Sequence, residues 1–94
     1  MKLSDFKLME TTAPKGVQVV LDFDTYELSI VKNEVSYGGK QGQYEIAVFK
    51  DAMQTELPGV TNDGDTVKGW LTEKDVDSII KKLYLITGKQ PVQI

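Results

Sequence analysis

Four places in the chain hold residue types that can do chemistry. Gly38, Gly39 and Gly42, with Lys40 among them, have the composition of a phosphate-binding loop. Such a loop works when backbone N–H groups and a helix N-terminus converge on the anion, which calls for G-x-x-x-x-G-K-[ST] opening a helix. Here the glycines run into Tyr44-Glu45-Ile46-Ala47-Val48-Phe49, an alternating stretch that reads as a strand, and a strand has no comparable dipole. The loop is therefore read as a structural turn with positive φ at one or more glycines. Asn62-Asp63-Gly64-Asp65 carries calcium-type oxygen donors. Counting from Asn62 puts Glu73 at the twelfth place of an EF-hand loop, but Gly64 falls at the third and Val67 at the sixth, so the register fails and a turn remains. Asp22, Asp24 and Glu27 form a carboxylate group of the kind that holds magnesium or divides acid and base duties. With no histidine or arginine to partner them, they read as solvated charge at a hairpin end.

The aromatics are the fourth group. Trp and Tyr give large contact area at low entropic cost and are enriched among residues that dominate protein interfaces. Trp70 precedes a helix start and packs against that helix end or faces a partner. Tyr37, followed by two glycines, is expected to be accessible; Tyr84 falls on a helix stripe. The sequence thus assigns no catalytic, cofactor-binding or metal-ligating residue, and names Tyr37 and Trp70 as partner-binding candidates.

Composition narrows the chemistry further. The chain has no cysteine, which removes thiolate nucleophiles, thiolate metal sites and disulfides together. It has no histidine, the usual general base and commonest metal ligand. Its cations are all lysine, so bidentate arginine recognition of phosphate or carboxylate is absent. A net charge of −3 argues against nucleic-acid binding and is too small for a DNA mimic. The 94 residues suffice for one domain with one modest core, spanning 1–94. No run is apolar enough to cross a bilayer, and Met1–Phe6 lacks a signal-peptide core. A cytoplasmic location without membrane association is the expectation.

The elements that must position these residues follow from periodicity. Residues 1–15 are open between helix and strand: Leu3, Phe6 and Met9 recur every three residues, and Ser4 is placed to cap a short helix through Glu10, which half supports the helix. Pro14 and Gly16 end whatever precedes them. Val17, Val19, Leu21 and Phe23 fall on one face, with Gln18, Val20, Asp22 and Asp24 on the other, and Tyr26, Leu28 and Ile30 resume the alternation, which predicts a hairpin of Val17–Phe23 with Tyr26–Val31 turning at Asp24-Thr25. A single bent strand is the competing reading. Tyr44–Phe49 is apolar on both faces, the mark of a central strand. Gln54–Leu57 reads as a short edge strand stopped by Pro58-Gly59, and Val60 to Trp70 as a polar connection. Thr72 with Asp75 three residues on forms a capping box, and Leu71 with Val76 a hydrophobic staple. Val76, Ile79, Ile80, Leu83 and Tyr84 make a helical stripe, with Ile86 on its flank and Gly88 at the stop. A helix over about 73–87 follows. Pro91–Ile94 is a final strand or a frayed tail. The predicted fold is α+β: a small antiparallel sheet of about three to five strands packed against one C-terminal amphipathic helix.

Ser36-Tyr37-Gly38-Gly39, Gly42-x-Tyr44-Glu45-Ile46-Ala47-Val48 and Gly69-Trp70-Leu71-Thr72-Glu73-x-Asp75-Val76 resemble the corresponding stretches of a group of small uncharacterised proteins encoded by tailed bacteriophages. The resemblance runs from about Phe23 to Leu83. It implies a phage origin and expression in a bacterial cytoplasm, and brings no activity or functional residue with it. The expectation is a non-enzymatic accessory protein that binds a host or phage protein. The alternative is a structural or self-assembling homo-oligomer, such as a minor virion component, built through the candidate edge strands Gln54–Leu57 and Val92–Ile94.

Overall fold

The C-terminal helix, α1, spans Glu73–Thr87 in the computed structural model, which describes all 94 residues. Thr72 is its N-cap: the Thr72 hydroxyl accepts from the Asp75 N–H at 3.1 Å, and the Asp75 carboxylate accepts from the Thr72 N–H at 2.9 Å. This is a capping box with aspartate in the place usually held by glutamate or glutamine. Gly88 ends the helix in the left-handed conformation, its N–H bonded to the Tyr84 carbonyl. Val76, Ile79, Ile80 and Leu83 are buried, whereas Tyr84 is 37% exposed and Ile86 more so. The buried stripe is narrower than the sequence pattern, because the helix rests on the sheet along one line and its flanks stay in water.

The bonds from Thr72, the backbone one first, hold the Asp75 carboxyl below its ordinary value of 3.8. A carboxyl lowered in the folded state adds stability above its unfolded pKa and loses it as pH falls through the folded one. The stability gap between the wild type and Asp75→Asn, read by urea unfolding, is therefore expected to hold from pH 7 to about pH 4 and to close below that.

Seven strands make one antiparallel sheet: β1 Met9–Thr12, β2 Lys15–Asp22, β3 Glu27–Asn33, β4 Tyr44–Lys50, β5 Met53–Gln54, β6 Val67–Leu71 and β7 Val92–Gln93. β2, β3 and β4 form the centre. β1 and β7 share the outer edge of β2, and β5 and β6 share that of β4. The sheet is therefore only five positions wide, and the strand count exceeds three to five because both edges are assembled from short pieces. On the helix side the register sets Val19, Ile30 and Ile46 in one row and Leu21, Leu28 and Val48 in the next, all buried. Phe23, Tyr44, Val60, Leu71 and Leu3 close the rim of this core around the α1 stripe.

The β2–β3 hairpin turns at Asp24-Thr25, with Phe23 N–H bonded to the Tyr26 carbonyl at 2.8 Å. The open choice over residues 1–15 is decided, and two expectations are corrected. The N-terminal helix to Glu10 does not form: Leu3–Asp5 is a single 3-10 turn, tied to α1 by a 2.8 Å bond from Leu3 N–H to Asp77 Oδ1, and Met9–Thr12 pairs with β2. Pairing with an open sheet edge satisfies backbone groups that a short isolated helix would leave to water. The edge strand expected over Gln54–Leu57 is confined to Met53–Gln54. The connection from Val60 to Trp70 is not merely polar: it contains β6 and the buried Val60 and Thr61, whose hydroxyl accepts from the Leu57 N–H at 3.0 Å. Pro91–Ile94 docks as β7 against Leu21 and Asp22. No helix is long and apolar enough to cross a membrane.

Candidate partner-binding edge

Tyr37 and Trp70, 33 positions apart in the sequence, are joined backbone to backbone: the Trp70 N–H donates to the Tyr37 carbonyl at 3.1 Å. Each partner is held from its own side. β3 ends at Asn33, whose side-chain oxygen accepts from the N–H groups of Val35 and Ser36 at 2.9 and 2.8 Å. Ser36 answers, its hydroxyl accepting from the Asn33 N–H and donating to the Asn33 carbonyl. This is an Asx turn locked from both sides. The Tyr37 N–H then donates to Glu45 Oε1 of β4 at 2.8 Å. Gly38 and Gly42, both in the left-handed region, bracket a 3-10 turn over Gly39–Gln41, and a Cβ on Gly39 would collide with the Asn33 carbonyl. The glycines thus serve a tight structural turn, as their position before a strand predicts.

Trp70 is positioned by a β-bulge. Tyr44 faces Leu71 and Ile46 faces Lys68, so that Gly69 and Trp70 together oppose Glu45 alone. The extra residue bends the strand and re-aims its side chain. Trp70 has φ of +59°, a left-handed conformation that is rare for a bulky residue and costs on the order of 1–3 kcal/mol. Its neighbour must be glycine, since a Cβ on Gly69 would fall onto Tyr37 Cβ. The Trp70 ring edge in turn lies against Gly38. Tyr37 is left 59% exposed and Trp70 58% exposed. The two residues named from sequence are brought together, and Trp70 is presented outward rather than packed away. Gly69→Ala is expected to displace Tyr37 and to lower stability by about 1–3 kcal/mol, read as a urea midpoint shift with the m-value unchanged.

A groove of about 370 Å³ adjoins Trp70, lined mainly by polar groups, with Lys68, Asp75, Ser78 and Lys82 beside the apolar Leu71 and Ile79. The Asp75 carboxylate is committed to the helix cap, and Lys82 Nζ donates to the Gly59 carbonyl at 2.7 Å. What the site presents is an aromatic face, contact area and the Lys68 cation. Tyr84 lies apart, on the helix flank.

The other sequence candidates are turns. Asp22 Oδ1 accepts from the Asp24 N–H at 2.7 Å and stabilises the left-handed Asp24 of the hairpin. In Asn62–Asp65, the Asp65 N–H bonds to the Asn62 carbonyl and the Gly64 N–H to Glu56 Oε2. Sequence reasoning did not find Glu45 or the bulge. The one available signal was Gly69 directly before an aromatic, which interrupts an alternating pattern. A scan against protein-family models finds no match, and neither do searches of curated proteins and solved structures.

Proposed function

We propose that this chain is a small non-enzymatic interaction protein that binds a protein partner through Tyr37 and Trp70. The observation that carries this reading is Trp70 itself: a strained backbone holds a large aromatic in water, beside a second exposed aromatic, where a packing role would bury it. Strain of this kind persists only where surrounding structure enforces it, and it concentrates at binding and catalytic sites. The resemblance of Ser36–Val48 and Gly69–Val76 to phage proteins supports a phage accessory role in a bacterial cytoplasm, with a host or phage protein as partner. Affinity capture from host lysate tests it. The tagged wild type is expected to retain a specific protein that folded Tyr37→Ala and Trp70→Ala variants release; recovery of nothing above background overturns the reading.

Self-assembly is favoured by a separate observation. Both sheet edges are built from short strands carrying exposed apolar residues, Met53 on β5 and Val92 on β7, and symmetric pairing closes such edges. Light scattering decides it: a strict monomer at high concentration ends the homo-oligomer reading.

A further inference from the structure

The sheet face turned away from α1 carries an apolar band among polar residues such as Gln18, Ser29 and Asn33, where an uncovered antiparallel sheet ordinarily turns polar throughout. Val20, Val31, Ala47, Phe49 and Val67 share that face by register and are half-buried, while every residue of the core cluster belongs to the other side. Charge is sorted between the two faces. By alternation, the four strand lysines, Lys15, Lys32, Lys50 and Lys68, fall on the helix side; Lys32 lies over the buried Tyr44 ring and Lys50 over the Tyr26 ring. Three of the four strand carboxylates, Asp22, Glu27 and Glu45, fall on the open face. Asp22 and Glu27 are paired directly across β2 and β3. Like charges so placed repel, which destabilises the isolated protein.

We propose that this open face docks a cationic amphipathic segment of a protein partner, its apolar stripe on the Val20–Phe49 band and its lysines or arginines at Asp22 and Glu27. From β1 to β6 the face is about 19 Å across, four inter-strand spacings, which is wide enough for one α-helix. A cation at the Asp22–Glu27 pair turns a repulsion into two attractions, so the segment's charge selects the partner. Its docking carboxylates, Asp22 and Glu27, lie on β2 and β3 apart from the Tyr37–Trp70 edge, whereas Glu45, the third carboxylate of this face, is bonded to the Tyr37 N–H.

The probe is a synthetic helical peptide of leucine and lysine with leucines at i, i+3, i+4 and i+7, titrated calorimetrically beside a leucine–glutamate peptide of the same pattern. The cationic peptide is expected to bind tighter by about tenfold or more, and to weaken as salt rises. Ser29→Lys, in the centre of the face, is expected to weaken it by about tenfold, whereas Glu34→Gln, an equal charge change outside the face, leaves it unaltered. Glu27→Gln is expected to weaken the peptide without lowering the Tm, which separates a docking role from a structural one. Equal affinity for the two peptides, or binding indifferent to Ser29→Lys, overturns the proposal. So does a wild-type dimer that Ser29→Lys turns into a monomer, since a second copy then covers the face. Binding lost in Trp70→Ala but kept in Ser29→Lys overturns it as well, and places the peptide on the aromatic edge instead.

Discussion

Trp70→Gly is expected to weaken partner binding by about thirtyfold or more while leaving the Tm unchanged or higher. The first half follows from the energetics of exposed aromatics at interface centres, where truncation costs about 2 kcal/mol or more. The second follows from the backbone. At φ of +59° a tryptophan is strained and a glycine is not, so the substitution relieves a penalty on the order of 1–3 kcal/mol. Against this stand the lost contact of the ring with Gly38 and the greater freedom of glycine in the unfolded chain, about 0.5–1 kcal/mol. The terms nearly cancel in stability but do not cancel in binding. A tryptophan kept for packing behaves oppositely, its removal lowering the Tm. Thermal unfolding and a binding titration on one preparation distinguish the two.

Phe23→Ala is expected to destabilise the fold by about 3–5 kcal/mol. Phe23 is fully buried at the end of β2, where the hairpin closes through its N–H to the Tyr26 carbonyl. A domain of this size has a total stability of about 5–15 kcal/mol, so the variant sits near the folding threshold. Urea denaturation should show the midpoint falling steeply with a wild-type m-value. A loss below about 1 kcal/mol would mean that the core does not close over Phe23 as described.

Local signals were legible in the sequence and relational ones were not. The α1 helix was readable because its cap, its staple and its stop lie within a few residues of the stripe they bound. The β2–β3 hairpin was readable from alternation on both arms. β6 was not, because a bulge exists only relative to a partner: the residues of Val67–Leu71 alternate badly until Gly69 and Trp70 are set together against Glu45. The fate of residues 1–12 was hidden for the same reason, since an available β2 edge decides it. Tyr44–Phe49 teaches the reverse lesson. Apolar residues on both its faces marked it as interior, and β4 is indeed flanked on both edges, yet only the Tyr44, Ile46 and Val48 face is covered. The site was half legible. Tyr37 and Trp70 were named as types suited to contact, but their junction depends on the Asn33–Ser36 turn and the bulge, which lie far apart in the chain.

The central claim is that Tyr37 and Trp70 together are the contact surface. Its most direct test is affinity capture from host lysate with the wild type, Tyr37→Ala and Trp70→Ala side by side, each shown to be folded by circular dichroism, with retained proteins quantified by mass spectrometry. The prediction is one protein enriched by the wild type and reduced about tenfold or more by each substitution. Retention of the same protein at equal levels by all three would contradict it.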